Sequence, residues 1–315
     1  MKVTALAGGV GGAKLAHGLD QTLPAGALTV IVNTGDDFEH LGLKISPDLD
    51  TVTYTLAGLA DPVKGWGRAD ETWNCLETLG QLDGPTWFQL GDRDLALHLE
   101  RTHRLEQGER LSVITHDVCK SFGVRSTVLP MSDDPVATIV ESDRGDLAFQ
   151  TYFVALRCEP EVHGFRFEGI ESAKPAHGVL EALDTADLVV FCPSNPWVSL
   201  DPILAVSGIG EAVVRKPVIS VSPIIAGRAL KGPAARMYKQ LGFEASAVSV
   251  AEHSLQYIDG FVLDQADLEL ESNVQDLGVQ AWVTQTVMHD IEDRKKLAET
   301  ILEFAIQLEE RMRST

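Results

Sequence analysis

The sequence predicts an α/β protein: a Rossmann-like parallel sheet with helices on both faces and an inserted, mainly helical lobe. Three observations predict it. The first 35 residues read as strand, glycine turn, helix and strand; two β-rich runs in the C-terminal half end in polar, turn-forming residues; and from about residue 60 to 146 the pattern turns helical and polar. At 315 residues the chain has room for two domains or one large domain with an insertion. The expected division is a nucleotide-binding core over 1–60 and 171–315 and a lobe over 61–170 that ends in a β-ribbon.

Composition narrows the function. With 44% hydrophobic and 23% charged residues the chain is an ordinary globular protein, and 26 Lys+Arg against 46 Asp+Glu leaves a net charge of −20. Affinity for nucleic acid depends on many basic contacts to phosphate, so a general nucleic-acid binder is excluded. A phosphate ligand must then be held by local groups. No apolar run approaches the ~18 residues of a spanning helix, and Met1-Lys2 leads straight into a short apolar segment, so neither a membrane anchor nor a signal peptide is expected. Cys75, Cys119, Cys158 and Cys192 form no CxxC pair and read as reduced, buried thiols of a cytoplasmic protein.

In order along the chain, Lys2-Val-Thr-Ala-Leu-Ala7 is the first strand, Gly8-Gly-Val-Gly-Gly12 the turn, an amphipathic stretch through Leu23 the helix, and Leu28-Thr-Val-Ile-Val-Asn33 the second strand. In the lobe, residues 70–79 and 94–105 are the clearest helices. Residues 147–170, with 148–156 and 165–168 alternating in polarity, suggest a β-ribbon. Asp187-Leu-Val-Val-Phe-Cys192 and Pro217-Val-Ile-Ser-Val-Ser222 are two further strands, and 291–313 is a closing helix whose apolar face carries Leu297, Ile301, Phe304, Ala305 and Leu308. Ligands of open parallel sheets collect beyond the carboxyl ends of strands, so the loops after these strands are the expected site.

The glycine loop Gly8-Gly-Val-Gly-Gly-Ala-Lys14 can present backbone N–H groups to a phosphate at a helix N-terminus, or it can simply make a tight turn. It is neither a Walker A loop, because Lys14 comes late and no Ser/Thr follows it, nor a dinucleotide loop, because Lys14 replaces the third glycine and Asn33 stands where a ribose-binding acid would. Pro47-Asp-Leu-Asp-Thr51 sets two carboxylates at a helix start, with Asp50 able to serve as N-cap. Asp48 and Asp50 can instead share Mg²⁺, which takes few carboxylates and keeps positions for phosphate oxygens. Asp36 and Asp37 add charge nearby, and a cluster of acids without basic partners calls for a cation. His40 beside them is a candidate ligand contact, the other histidines reading mostly as surface. Asp94 suits the dipole of a helix start and a surface salt bridge, with Arg93 or His98 the alternative reach toward a phosphate; Ser132-Asp133-Asp134-Pro135 is a turn or a second polar wall. Ser194-Asn195-Pro196 and Ser222-Pro223 follow clear strands and carry small polar groups suited to a base or phosphate. Trp66, Trp73, Trp87 and Phe88 cluster in the lobe and read as core, with stacking on a planar ligand as the alternative.

Taken together, the glycine loop, Val32-Asn-Thr-Gly-Asp-Asp37, Pro47-Asp-Leu-Asp-Thr51, Gly65-Trp-Gly-Arg-x-Asp-Glu-Thr-Trp73, Trp87-Phe-x-Leu-Gly-Asp-Arg-Asp-Leu95, Pro130-Met-Ser-Asp-Asp134, Pro193-Ser-Asn-Pro196 and Ser222-Pro-Ile-Ile225 closely resemble the 2-phospho-L-lactate transferase family of coenzyme F-420 biosynthesis. The resemblance runs from residue 2 to about residue 253. It implies a Mg²⁺-dependent transferase, commonly a homodimer, that moves a phospholactyl or phosphoenolpyruvyl group from a guanosine-diphosphate-linked donor to the deazaflavin Fo and releases GMP. Carried onto this chain, it implies that Asp50 contacts Fo with Asp48 beside it, both catalytic and both metal-binding. Gln89, Asp36, His40, Arg93 and Asp133 complete the expected Fo side. The nucleotide is expected across Gly8, Gly9, Val10, Gly11, Gly12, Lys14, Asn33, Ser194, Asn195, Pro196 and Ser222. Gln89, where archaeal relatives carry a basic residue, points to the bacterial branch and a phosphoenolpyruvyl donor. A related branch of non-enzymatic nucleotide-sugar-binding regulators shares the glycine loop but lacks the Pro-Asp-Leu-Asp and Leu-Gly-Asp-Arg-Asp contexts present here.

Overall fold

A computed structural model describes residues 1–230 and 232–314, with side chains through Arg311. Seven strands form the central sheet: β1 (Val3–Ala7), β2 (Leu28–Val32), β3 (Thr127–Pro130), β4 (Leu188–Phe191), β5 (Val218–Val221), β6 (Gly260–Asp264) and β7 (Gln280–Thr284). They are ordered β7-β6-β5-β4-β1-β2-β3, and every pairing is parallel. The predicted fold class holds. Alternate residues serve opposite faces: Val3, Ala5 and Ala7 pack into one apolar layer, and Leu6 into the other.

The first layer lies beneath α1 (Gly9–Thr22), α2 (Pro47–Leu56) and the C-terminal helix Ile291–Ser314. The five apolar positions expected on that last helix are all buried. Its backbone presses on α1 at Gly18, where a Cβ would come 2.1 Å from the Arg294 carbonyl oxygen. Residues 254–315, which carry no motif, thus supply two sheet strands and a helix that braces α1. No helix among the described residues is long and apolar enough to cross a membrane.

The insertion differs from expectation in two places. Thr127–Pro130, inside the span assigned to the lobe, pairs with β2 as the edge strand of the main sheet. The ribbon is a three-stranded antiparallel sheet of Ala137–Ser142, Gly145–Ala148 and Val162–Glu168, and its middle is interrupted by a π-helical turn at Thr151–Ala155. Phe149 and Phe153, four residues apart, stack with centroids at 5.5 Å, so the apolar spacing there is helical and not that of a strand.

The lobe helices are α3 (Asn74–Gln81), α4 (Asp92–Glu106) and α5 (Leu111–Ser121). α3 starts four residues later than expected and has no buried residue. Reciprocal capping holds it to α4. Asp92 accepts from the Asn74 and Cys75 amides, and Glu71 accepts from the Arg93 and Asp94 amides, both at 2.8 Å. Gly91 is required here, because the Glu71 carboxylate fills the space of a Cβ. Cys75 is exposed on α3, whereas the other three cysteines are buried, and all four are free.

Candidate functional site

β1 lies between β2 and β4, so the chain leaves β1 in one direction and β4 in the other, and their loops face each other across the carboxyl edge of the sheet. Ser194 closes this junction: its Oγ accepts the Gly8 N–H at 3.0 Å and donates to the Gly8 carbonyl at 2.9 Å. A Cβ on Gly11 would meet the Pro193 carbonyl oxygen at 2.3 Å, and one on Gly12 the Ser194 Oγ at 2.5 Å. The glycines therefore permit close approach of the second loop. Their backbone still opens α1, whose first-turn amides lack acceptors within the helix.

Four carboxylates converge beside this junction. Asp48 is fixed by the Gly9 N–H at 2.7 Å and the Asn33 amide at 3.0 Å. Burial lifts its proton affinity to a pKa of about 6. Asp36 is raised well above the carboxylate range by burial and by the charge of Asp48. Asp37 is raised by burial, although Ser46 Oγ donates to it at 2.6 Å. Asp50 is not an N-cap. The helix begins at Pro47, and Asp50 lies within its first turn.

The expectation that these acids lack a basic partner is overturned by Arg101. Its guanidinium, 4% exposed on α4, forks onto both Asp50 oxygens. His98, 1% exposed, lies between Asp50 and Asp94, and Tyr54 donates to Asp94 at 2.6 Å. The surface salt bridge expected on this helix is thus a buried network. Sequence spacing places His98 and Arg101 on one face of α4 but gives no sign that the face turns inward. His17 is also buried, against expectation.

The acidic cleft fits a divalent cation on its own chemistry. Asp36 Oδ1 and Asp37 Oδ1 are buried without hydrogen-bond partners, and neighbouring like charges raise the proton affinity of Asp36. Of the two carboxylates expected to share Mg²⁺, Asp50 is held through both oxygens by Arg101, and Asp48 accepts from the Gly9 N–H and the Asn33 amide. Asp50, Asp94 and His98 also bring ligand atoms within 4.8 Å of one another, but with Arg101 on Asp50 they form an ion-pair network.

Several other residues of the expected site make hydrogen bonds within the protein. Lys14 Nζ donates to the Met288 carbonyl at 2.6 Å. Asn195 caps the turn after β4 through the Trp197 N–H, and Pro196 opens that turn. Ser222 bonds within its own loop, to Ile224. Asp133 caps α5 through the Ser112 N–H and hydroxyl. Arg93 is exposed. His40 is buried, its proton affinity lowered by burial, and its ring packs on Trp87 at 5.1 Å with Phe38 and Phe88 alongside. The lobe aromatics are not core: Trp66 is 40% exposed, and Lys64 sits over the rings of both Trp66 and Trp73. With Arg68, Glu71 and Gln89 these three line a small recess.

The family model of 2-phospho-L-lactate transferase CofD matches residues 3–306. The chain belongs to the CofD family. A CofD-family relative named phosphoenolpyruvate transferase from Streptomyces griseus is 43% identical over 313 residues, 97% of this chain and 98% of the relative. A 2-phospho-L-lactate transferase from Methanosarcina acetivorans is 39% identical over 297 residues, 94% and 97% of the two chains. The CofD-family fold is similar to the crystal structure of a UPF0052 family member from Bacillus halodurans, with a TM-score of 0.64, 19% identity and coverage of 96% of this chain and 98% of the other.

Proposed function

We propose that this chain transfers a phosphoenolpyruvyl group from a guanosine-diphosphate-linked donor to the deazaflavin Fo, releasing GMP and forming dehydro coenzyme F-420-0. The observation that carries this reading is the family match over residues 3–306, which spans the acidic cleft at the strand ends. The enolpyruvyl donor is favoured over the lactyl one by relatives named phosphoenolpyruvate transferases at 43% identity, against 39% for one named 2-phospho-L-lactate transferase.

On this reading the donor diphosphate lies at the start of α1, against the amides of Val10, Gly11 and Gly12. Asp36 and Asp48 would hold Mg²⁺, which would supply the charge neutralisation that an acidic chain otherwise lacks. The terminal ribityl hydroxyl of Fo attacks the phosphorus that bears the three-carbon ester, the P–O–P bridge breaks, and GMP leaves. Phosphoryl transfer asks mainly for alignment and charge stabilisation, so no covalent intermediate is required. Asp50 accepts a hydrogen bond from the attacking hydroxyl, aligns it and takes its proton as the new P–O bond forms. The acceptor ring lies on the lobe side, toward His40, Trp87 and the recess at Gln89.

The test is mass spectrometry of the purified protein with Mg²⁺, Fo and each donor separately. GMP and the phosphodiester product support transfer. Tight nucleotide binding without product with either donor contradicts it and points to a regulatory nucleotide-binding protein.

A further inference from the structure

The network around Arg101 is a closed circuit that begins and ends on the same helix. From Asp50 on α2, the contacts run to Arg101 through the forked ion pair, to His98 Nδ1 at 3.3 Å, from His98 Nε2 to Asp94 at 3.4 Å, and from Asp94 to the Tyr54 hydroxyl at 2.6 Å. Tyr54 stands one turn after Asp50 on α2. Arg101 Nη1 also reaches the Lys44 carbonyl at 3.4 Å, and the next residue, Thr102, accepts the Lys44 N–H at 2.8 Å. The circuit therefore clamps a lobe helix onto the core segment that carries Asp50.

Stability alone does not account for it. A buried ion pair is commonly no more stabilising than a packed apolar pair, because desolvation offsets the attraction. A bidentate guanidinium does supply direction: it fixes both carboxylate oxygens in one plane, which a lysine point charge cannot do. Among the described residues this carboxylate and its partner come from different parts of the chain, 51 positions apart, so its aim depends on α4.

We propose that Arg101 is a positioning residue of the transfer reaction: it acts through Asp50, holding that carboxylate in the orientation that aligns the acceptor hydroxyl. The inference rests on the transfer reaction proposed above. Because Arg101 has both its oxygens, Asp50 is presented to the acceptor already oriented, and the hydrogen bonds of Arg101 go to Asp50, His98 and Lys44, none of them in the α1 loop that forms the donor side.

The experiment is a double-mutant cycle on turnover with R101Q, D50N and R101Q/D50N, plus R101K, each verified as folded by circular dichroism. The expected result is a 30- to 100-fold loss of kcat/KM for the acceptor in R101Q, with donor KM within twofold of wild type. R101Q/D50N should lose no more than D50N, and R101K should recover part of the loss. Where R101Q is unstable with Asp50 left unpaired, R101Q/D50N, which removes both charges, and R101K carry the comparison. Product from wild type with losses that multiply, or with donor KM rising alongside acceptor KM, overturns this inference alone. Absence of product from wild type overturns the transfer reading and this inference with it.

Discussion

A methyl group built on Gly8 would lie 2.5 Å from Asp48 Oδ2 and 2.6 Å from the Cβ of Ser199, so the end of β1 and the acidic helix start are in contact across a position that admits no side chain. G8A must push Asp48 or the loop after β4 aside. Overpacking of this kind costs about 1–3 kcal/mol. Denaturant unfolding of G8A is expected to show that loss, and turnover is expected to fall at least tenfold because Asp48 is displaced. An alanine variant as active as wild type would contradict the close packing.

The acids of the cleft give the protein a pH signature. Asp48 titrates near 6 when folded, above its ordinary value of 3.8, and Asp36 and Asp37 are raised in the same direction. A folded pKa above the unfolded one contributes stability that is complete below the unfolded value and is lost as pH rises through the folded value. For Asp48 the loss spans roughly pH 4 to 7 and amounts to about 1–3 kcal/mol. Without metal, Tm should therefore fall between pH 5 and 8. Mg²⁺ should raise Tm at pH 8 and have little effect at pH 5. A Mg²⁺ shift equal at both values would contradict the assignment.

Asn33 is a donor that an acid cannot replace. Its amide nitrogen donates to Asp48 at 3.0 Å and to the Val198 carbonyl at 3.1 Å, while its oxygen accepts the Gly35 N–H at 2.8 Å. N33D keeps the shape, removes both donated bonds and adds a like charge against Asp48. A loss of about 2–4 kcal/mol is expected at pH 8, smaller at pH 5, where Asp48 holds its proton. Chemical denaturation at the two pH values checks both the size and the trend.

At Gly18, helix propensity and packing oppose each other. An exposed helical glycine replaced by alanine gains about 1 kcal/mol. Here the Arg294 carbonyl oxygen would lie 2.1 Å from the added carbon. G18A should therefore destabilise the protein, with a lower Tm and proteolysis starting in the C-terminal helix. A stabilised G18A would mean that the two helices are not pressed together.

The parts of this architecture that repeat a local pattern are legible in the sequence. The opening βαβ unit, the strands ending at Phe191 and Val221, and the apolar stripe from Leu297 to Leu308 follow from periodicity and turn residues alone. Thr127–Pro130 is not legible, because four residues inside a polar stretch carry too little pattern to reveal a sheet edge. The turn at Thr151–Ala155 is hidden because a short apolar run fits two periods. At the site, the acids at Asp36, Asp37, Asp48 and Asp50 stand close enough along the chain to be visible as a group. Their counter-charge is not: Arg101 is 51 positions from Asp50, and only the tertiary fold turns that face of α4 inward. Ser194, Asn195 and Asp133 are visible as polar loop residues, but their hydrogen bonds to backbone groups, for Ser194 and Asp133 on segments distant in the chain, are not something composition can foretell.

The most direct test of the transfer reading is a competition between its two donors. Wild-type protein is given Mg²⁺, Fo and equimolar lactyl and enolpyruvyl guanosine diphosphates, and the products are resolved by mass over the first turnovers. GMP is expected in amounts equal to phosphodiester, with the enolpyruvyl product dominant. Lactyl product in excess would contradict the donor assignment, and nucleotide bound without any phosphodiester would contradict transfer itself.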